Sequence, residues 1–324
     1  AGPDDNLAVE WSVLLRDGSN YVQQQIVLTA GETPVDLREI VLVELAAPPA
    51  QPAGTVDGSP VMVGNLFFAF EHPLSKTRIA EAENLVRCSL PRSRALEAHD
   101  TETCSSVIGV VPDGQRRRGF LYYVERERVQ PYRPFLHYNS WYHLNIGRPD
   151  NHMTEAECLE TIEHFGRELI TRRGVTMDAF VWDDGWDDFN SLWAFHKDFP
   201  DGFKNLEKAG AKYGAAQGVW MSPWGGYSRA KAMRIAFGKS RGYETNASGF
   251  SMAGAKYGKA FRDVCLDMMR EQGVVFFKFD GMGGGNKVTG AAAEMADDVD
   301  AVLELTQALR RENPGVFISA TVGT

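Results

Sequence analysis

The chain has little cysteine, no long apolar run and no excess of positive charge. Its four cysteines, Cys88, Cys104, Cys158 and Cys265, form no C-x-x-C pair, which counts against zinc-ribbon and thioredoxin-like chemistry. No uninterrupted apolar stretch approaches the roughly 20 residues of a membrane helix, so no membrane span is expected. Acidic side chains outnumber basic ones by 43 to 34 and no basic stripe offsets them, so nucleic acid is not an expected partner. There is no H-E-x-x-H and no G-x-S-x-G elbow, which disfavours zinc peptidase and serine hydrolase readings. His137, His143 and His152 cluster in sequence without metal-ligand spacing and read as surface or loop histidines. The apolar fraction of 44% is enough for a sizeable core, and the totals predict a soluble globular protein. The opening "AGPDD", without Met, is the form that signal cleavage leaves, so export to the periplasm or cell exterior is the expectation. Cys158 and Cys265 fall in helical patterns and read as buried small hydrophobes, whereas Cys88 and Cys104 bracket a polar segment that a disulfide would close.

Two grammars divide the text. Up to residue 132, runs such as "YVQQQIVLTAG", "REIVLVEL" and "GNLFFAFEHP" alternate or bunch apolar residues between Gly, Pro and Asp, which predicts short strands in an antiparallel sandwich without helices. From residue 133 the order is strand, loop, helix, repeated. The strand candidates are "FLHYNSW", "AFVWDD", "GVWMSP", "VVFFKFD" and "VFISATVG", with starts about 40 residues apart, as in βα units of a parallel sheet. In "TEAECLETIEHFGRELITRRG", Thr154 and Glu157 have capping-box spacing, and Cys158, Ile162, Phe165 and Leu169 make one apolar stripe. Five units fit either a doubly wound sheet or part of a (β/α)8 barrel, which takes about 250 residues in full.

The strand ends carry the chemistry. In "VVFFKFDG" the alternation puts Phe276, Lys278 and Asp280 on one face and Phe277 and Phe279 on the other. A lysine and an aspartate ending an interior strand are a plain ion pair or a nucleophile held ionised by its neighbour. "FVWDDGWDDFN" gathers four carboxylates from Asp183 to Asp188, and Gly185 falls where a calcium loop needs a ligand. The remaining readings are a solvated turn, or Asp183 and Asp184 as acceptors for sugar hydroxyls with Trp182 and Trp186 beside them. Trp141, Trp220 and Trp224 also fall near strand ends, too many for core filling alone. The glycine run "GMGGGNK" fails G-x-G-x-x-G at Asn286, and no G-K-[ST] follows it, so it reads as a βα loop.

With "KFD" on one strand end, "DDGW" on another and "YNSWY" on the first, residues 133–324 resemble clan D glycoside hydrolases. This is the group of α-galactosidases, α-N-acetylgalactosaminidases and raffinose synthase-like proteins. The resemblance implies an N-terminal antiparallel β-sandwich over residues 1–132, followed by a (β/α)8 barrel domain over 133–324 that reaches its fifth strand. It implies a retaining α-glycosidase with an oligosaccharide or glycoconjugate substrate and no metal or organic cofactor. Asp280 would be the nucleophile, Lys278 would bind a sugar hydroxyl and hold Asp280 ionised, and Asp183 and Asp184 would accept from O4 and O6. Trp141 and Trp220 would line the pocket, and the residue reading adds Trp186 beside the paired acids. The family's acid/base comes from a sixth strand, which places it beyond Thr324; Asp187 and Asp188 match no family role. "FISATVGT" lacks the glycine-rich pattern of many α-galactosidases, and Ala320 and Gly323 would leave room for an N-acetyl group. A transglycosylase, a non-catalytic carbohydrate-binding protein and a nucleotide-binding protein are the alternatives.

Overall fold

The computed structural model describes residues 6–46, 49–80, 85–92, 95–282 and 295–321. The chain divides between Tyr132 and Arg133 into two compact units. In the first, alternating apolar residues build strands β1 (Leu7–Leu14), β2 (Tyr21–Ala30), β3 (Glu39–Ala46), β4 (Ala50–Pro52), β5 (Val61–Val63), β6 (Leu66–Phe70), β7 (Lys76–Ala80), β8 (Leu85–Pro91) and β9 (Thr101–Val110). Two antiparallel sheets, β1-β2-β9-β6-β5-β4 and β3-β8-β7, form a sandwich.

Two expectations for this unit need correction. A helix follows the sheets, α1 (Arg116–Glu127), where only strands were read. Three arginines at its start mask an i, i+3, i+4 stripe, Phe120, Tyr123 and Val124, that packs onto Tyr21, Phe67 and Val107 of the six-stranded sheet. The disulfide is the second. Cys88 and Cys104 lie on β8 and β9, in different sheets, and both are buried and outside any disulfide. Each fills an interior position as a small apolar side chain.

The second unit alternates strand and helix: β10 (His137–Asn139), α2 (Glu155–Phe165), β11 (Ala179–Trp182), α3 (Lys204–Ala211), β12 (Ala216–Met221) and α4 (Ser228–Ser240). A small hairpin, β13 (Thr245–Asn246) and β14 (Gly249–Phe250), then α5 (Ala255–Gln272), β15 (Val274–Phe279), α6 (Ala296–Glu312) and β16 (Phe317–Ala320) complete it. Local chemistry sets the helix ends. Thr154 and Glu157 close a reciprocal capping box on α2, and α5 stops at Gly273, whose φ of 65° is left-handed.

The five parallel strands lie in the order β10-β11-β12-β15-β16, each beside the previous one. A doubly wound sheet reverses its order at a switch point; a barrel does not. This is a half-barrel sheet of five strands. Ala179, Val181 and Phe276 share its inner cluster with Phe135 and Phe317, while Phe279 meets Phe261 of α5 on the helix side. No helix among the described residues is long and apolar enough to cross a membrane.

Burial raises the thiol pKa of Cys88, Cys158 and Cys265 above its ordinary value. Ellman titration without reductant should therefore find almost no reactive thiol in the native chain and all four after unfolding. A count of two after unfolding would restore the disulfide.

Candidate functional site

The carboxyl ends of β10, β11, β12 and β15 are neighbours, so the residues that follow each strand converge. They line a cavity of about 650 Å³ whose walls include Trp141, Asp183, Asp184, Trp220, Lys278 and Asp280. Loops add Asp150, Asn151, Phe189 and Tyr227, and the first turn of α4 adds Arg229. Lys278 sits in register with Trp220 of β12, which puts both at the same height above the sheet.

The Asp183 carboxylate is held by charge. Lys278 Nζ donates to its Oδ2 at 2.7 Å, and Asn139 Nδ2 to the same oxygen at 2.9 Å. The Asp184 N–H donates to Asp183 Oδ1 at 3.0 Å. Asp184 in turn accepts from Asn151 Nδ2 at 3.1 Å and from Arg234 Nη2 at 2.9 Å. The two loops meet closely because Gly185 has no side chain. A Cβ there would lie 2.0 Å from the Asn151 carbonyl oxygen, and its φ of 120° suits only glycine.

Arg234, 1% exposed on α4, is the cation behind this wall. It grips Asp187 with two bonds, Nε to Oδ2 at 2.9 Å and Nη2 to Oδ1 at 2.7 Å, while Nη1 reaches the Gly225 carbonyl at 3.1 Å. Its guanidinium lies 4.2 Å from the Trp193 ring centroid and 4.7 Å from that of Phe189. Burial opposes its charge, but the Asp187 and Asp184 carboxylates outweigh that and raise its pKa. For Asp184 burial wins: its carboxyl is pushed above the usual range despite Arg234.

Asp280 is held differently. Its Oδ2 accepts from Trp220 Nε1 at 3.0 Å, and its Oδ1 from the Tyr227 hydroxyl at 2.9 Å and the Gly281 N–H at 2.8 Å. Burial disfavours the anion, yet these bonds, with one from Thr321, hold its pKa below the usual carboxylate range. The donors are all neutral.

Two expectations change here. Lys278 is bonded to Asp183, so hydrogen bonds rather than the lysine keep Asp280 ionised. Trp186 is fully buried and does not line the cavity. Its indole donates to the Trp220 carbonyl at 3.1 Å and packs between Trp193 and Phe203. Trp182 and Trp224 are likewise core residues, so of the five strand-end tryptophans Trp141 and Trp220 line the cavity. Asp187 faces Arg234, and Asp188 caps its own turn by accepting from the Asn190 N–H at 2.9 Å; neither lines the cavity. The glycine run from Gly283 onward and Gly323 lie outside the described residues. Sequence reasoning missed Arg234 and Tyr227. The signals were an arginine inside the apolar run "AMRIAF" and a tyrosine directly after Gly225 and Gly226.

Among the described residues, His152, His196 and Asp198 group as metal ligands might, outside the cavity walls. His196 is not free to bind a cation. Its Nδ1 accepts from the Asp198 N–H at 3.2 Å, which leaves Nε2 to donate to the Gly185 carbonyl at 3.1 Å.

No protein-family model matches the chain, and no curated protein sequence does. Solved structures do. An α-galactosidase from Lactobacillus brevis superposes with a TM-score of 0.65 at 14% identity, covering 96% of this chain and 51% of that one. A GH36 α-galactosidase variant from Geobacillus stearothermophilus, solved with stachyose, gives 0.59 at 12% identity, covering 96% and 53%. An α-galactosidase from Thermus thermophilus, also with stachyose, gives 0.53 at 12% identity, covering 96% and 71%. The chain thus has the fold of GH36 α-galactosidases of clan D, and it spans about half the length of the first two chains.

Replacing Arg234 by Met leaves two carboxylates buried without their cation, which should cost about 3–5 kcal/mol of stability. Denaturant melts of wild type and Arg234→Met measure this. Arg234→Lys should recover only part, because an ammonium lacks the planar fork that holds both acids. An unchanged midpoint in Arg234→Met would mean that the clamp is not formed.

Proposed function

We propose that the cavity is the glycone site of a retaining α-glycosidase that cleaves terminal α-galactoside or α-N-acetylgalactosaminide linkages by double displacement. One observation carries this reading. Of the four carboxylates that line the cavity among the described residues, Asp150, Asp183 and Asp184 are paired with Arg229, Lys278 and Arg234. Asp280 alone of these is held as an anion by neutral donors. A nucleophile needs that combination: ionised at working pH, with no cation standing on its electron pairs.

The other groups suit a sugar. A carboxylate offers about four acceptor positions. The bonds to Arg234 and Asn151 leave Asp184 able to accept from hydroxyls, and Lys278 has further N–H donors beyond the one on Asp183. Trp141 supplies an aromatic wall for the apolar side of the ring. In the first step an Asp280 oxygen bonds to the anomeric carbon as the glycosidic bond breaks, and the departing oxygen takes a proton. In the second, water bonds to that carbon and the Asp280 bond breaks. Both proton transfers need a second carboxyl about 5–5.5 Å from the first. The clan D resemblance assigns that group to a sixth strand.

A binding-only role is the second reading, favoured by the same pairing, since among the described residues no other lining carboxylate is left free as an acid. Incubation with 5-fluoro-α-galactosyl fluoride separates the two, because fluoride departs without a proton. The glycosidase reading expects a covalent adduct on the peptide containing Asp280, absent in Asp280→Asn. Saturable binding of galactose with no adduct would leave the carbohydrate-binding reading. The N-acetylgalactosamine analogue then reports the 2-substituent.

A further inference from the structure

We propose that Tyr227 is a further catalytic residue, whose phenol holds Asp280 Oδ1 so that the carboxylate departs readily from a sugar it has captured. The inference rests on the double-displacement reading above. Its geometry is built into the loop after β12. Gly225 and Gly226, with φ of 95° and 89°, turn the chain back over the strand end. Tyr227 follows in extended backbone at the N-cap of α4, with Ser228 left-handed at φ 48°. The side chain lines the cavity, and its hydroxyl donates to Asp280 Oδ1 at 2.9 Å. A wall alone would need only the ring. Burial and the neighbouring anion raise the phenol pKa, so the group stays protonated and keeps donating.

The two steps ask opposite things of this bond. When Asp280 attacks, an oxygen lone pair becomes the bond to the anomeric carbon, and carboxylate charge is consumed. When the intermediate breaks down, that bond's electron pair returns to the carboxylate as the incoming nucleophile bonds to carbon. A donor that stabilises the anion therefore opposes the first step and favours the second. A packing defect has no reason to move the two steps in opposite directions.

The test compares wild type with Tyr227→Phe, which keeps the ring. Carbon-13 NMR of labelled aspartate, with Asp280→Asn assigning the resonance, should show the Asp280 midpoint moving up in the variant. Trapping by 5-fluoro-α-galactosyl fluoride should be no slower. Release of the trapped sugar by azide, which forms the 5-fluorogalactosyl azide and needs no base, should be about tenfold slower. An unmoved midpoint overturns the proposal, and so do trapping and release slowed alike. If wild type takes no label, the glycosidase reading falls and the leaving-group role with it. The titration needs no substrate, so it distinguishes that failure from a phenol that does not hold the carboxylate.

Discussion

Balancing carboxylate charge in a shared hollow is the constraint on which this end of the sheet depends. Parallel strands deliver their carboxyl ends to one rim, and here two of them are followed directly by aspartates. Like charges a few ångströms apart in a poorly hydrated space repel strongly. The structure resolves this with cations from other elements: Lys278 from β15 against Asp183, and Arg234 from α4 against Asp184 and Asp187. Asp280 is left to neutral donors from β12 and the loop beyond it. The distribution sorts the aspartates into those held by cations and one held by neutral donors.

The choice of arginine at 234 follows from the same constraint. One planar guanidinium reaches two carboxylates and a carbonyl at once, which an ammonium on a flexible stem does not. Trp193 and Phe189 cover it, and its weak hydration makes the burial tolerable. Buried ion pairs contribute little net stability over an apolar packing, but removing one partner is severe. Arg234 is therefore better understood as fixing where Asp184 points than as strengthening the fold.

Much of this was legible in the sequence because it is periodic. Alternation in "VVFFKFD" assigned Lys278 and Asp280 to the face of Phe276, and the five strand runs fixed the order of units. What escaped depends on three dimensions. Arg234 lies in a helix of mixed composition, and its partners are 47 and 50 residues away. Trp186 and Trp141 look alike as strand-end tryptophans, yet the turn at Gly185 sends Trp186 into the core. Lys278 stands two residues from Asp280, so proximity in the chain suggested that pair. Its ammonium instead reaches across β12 to Asp183 at the end of β11. Helix α1 was hidden by the charge at its start and by exposed Leu121 and Tyr122, which blur its apolar stripe.

Backbone strain marks the same region. Among the described residues, five that are not glycine have positive φ: His99, Asp150, Asn151, Trp193 and Ser228. Asp150, Asn151 and Ser228 line the cavity, and Trp193 covers Arg234. Asp and Asn tolerate this conformation through their short polar side chains, but for tryptophan and serine it costs about 1–3 kcal/mol each. A fold selected only for stability would place glycine there. Here three of the strained residues have a specific job for the side chain: Asp150 pairs with Arg229, Asn151 bonds Asp184, and Trp193 stacks on the guanidinium. The strain and the charge arrangement thus have one cause. The loops are bent into positions that the sheet alone would not give them, so that acceptors and donors converge on the hollow above β11, β12 and β15.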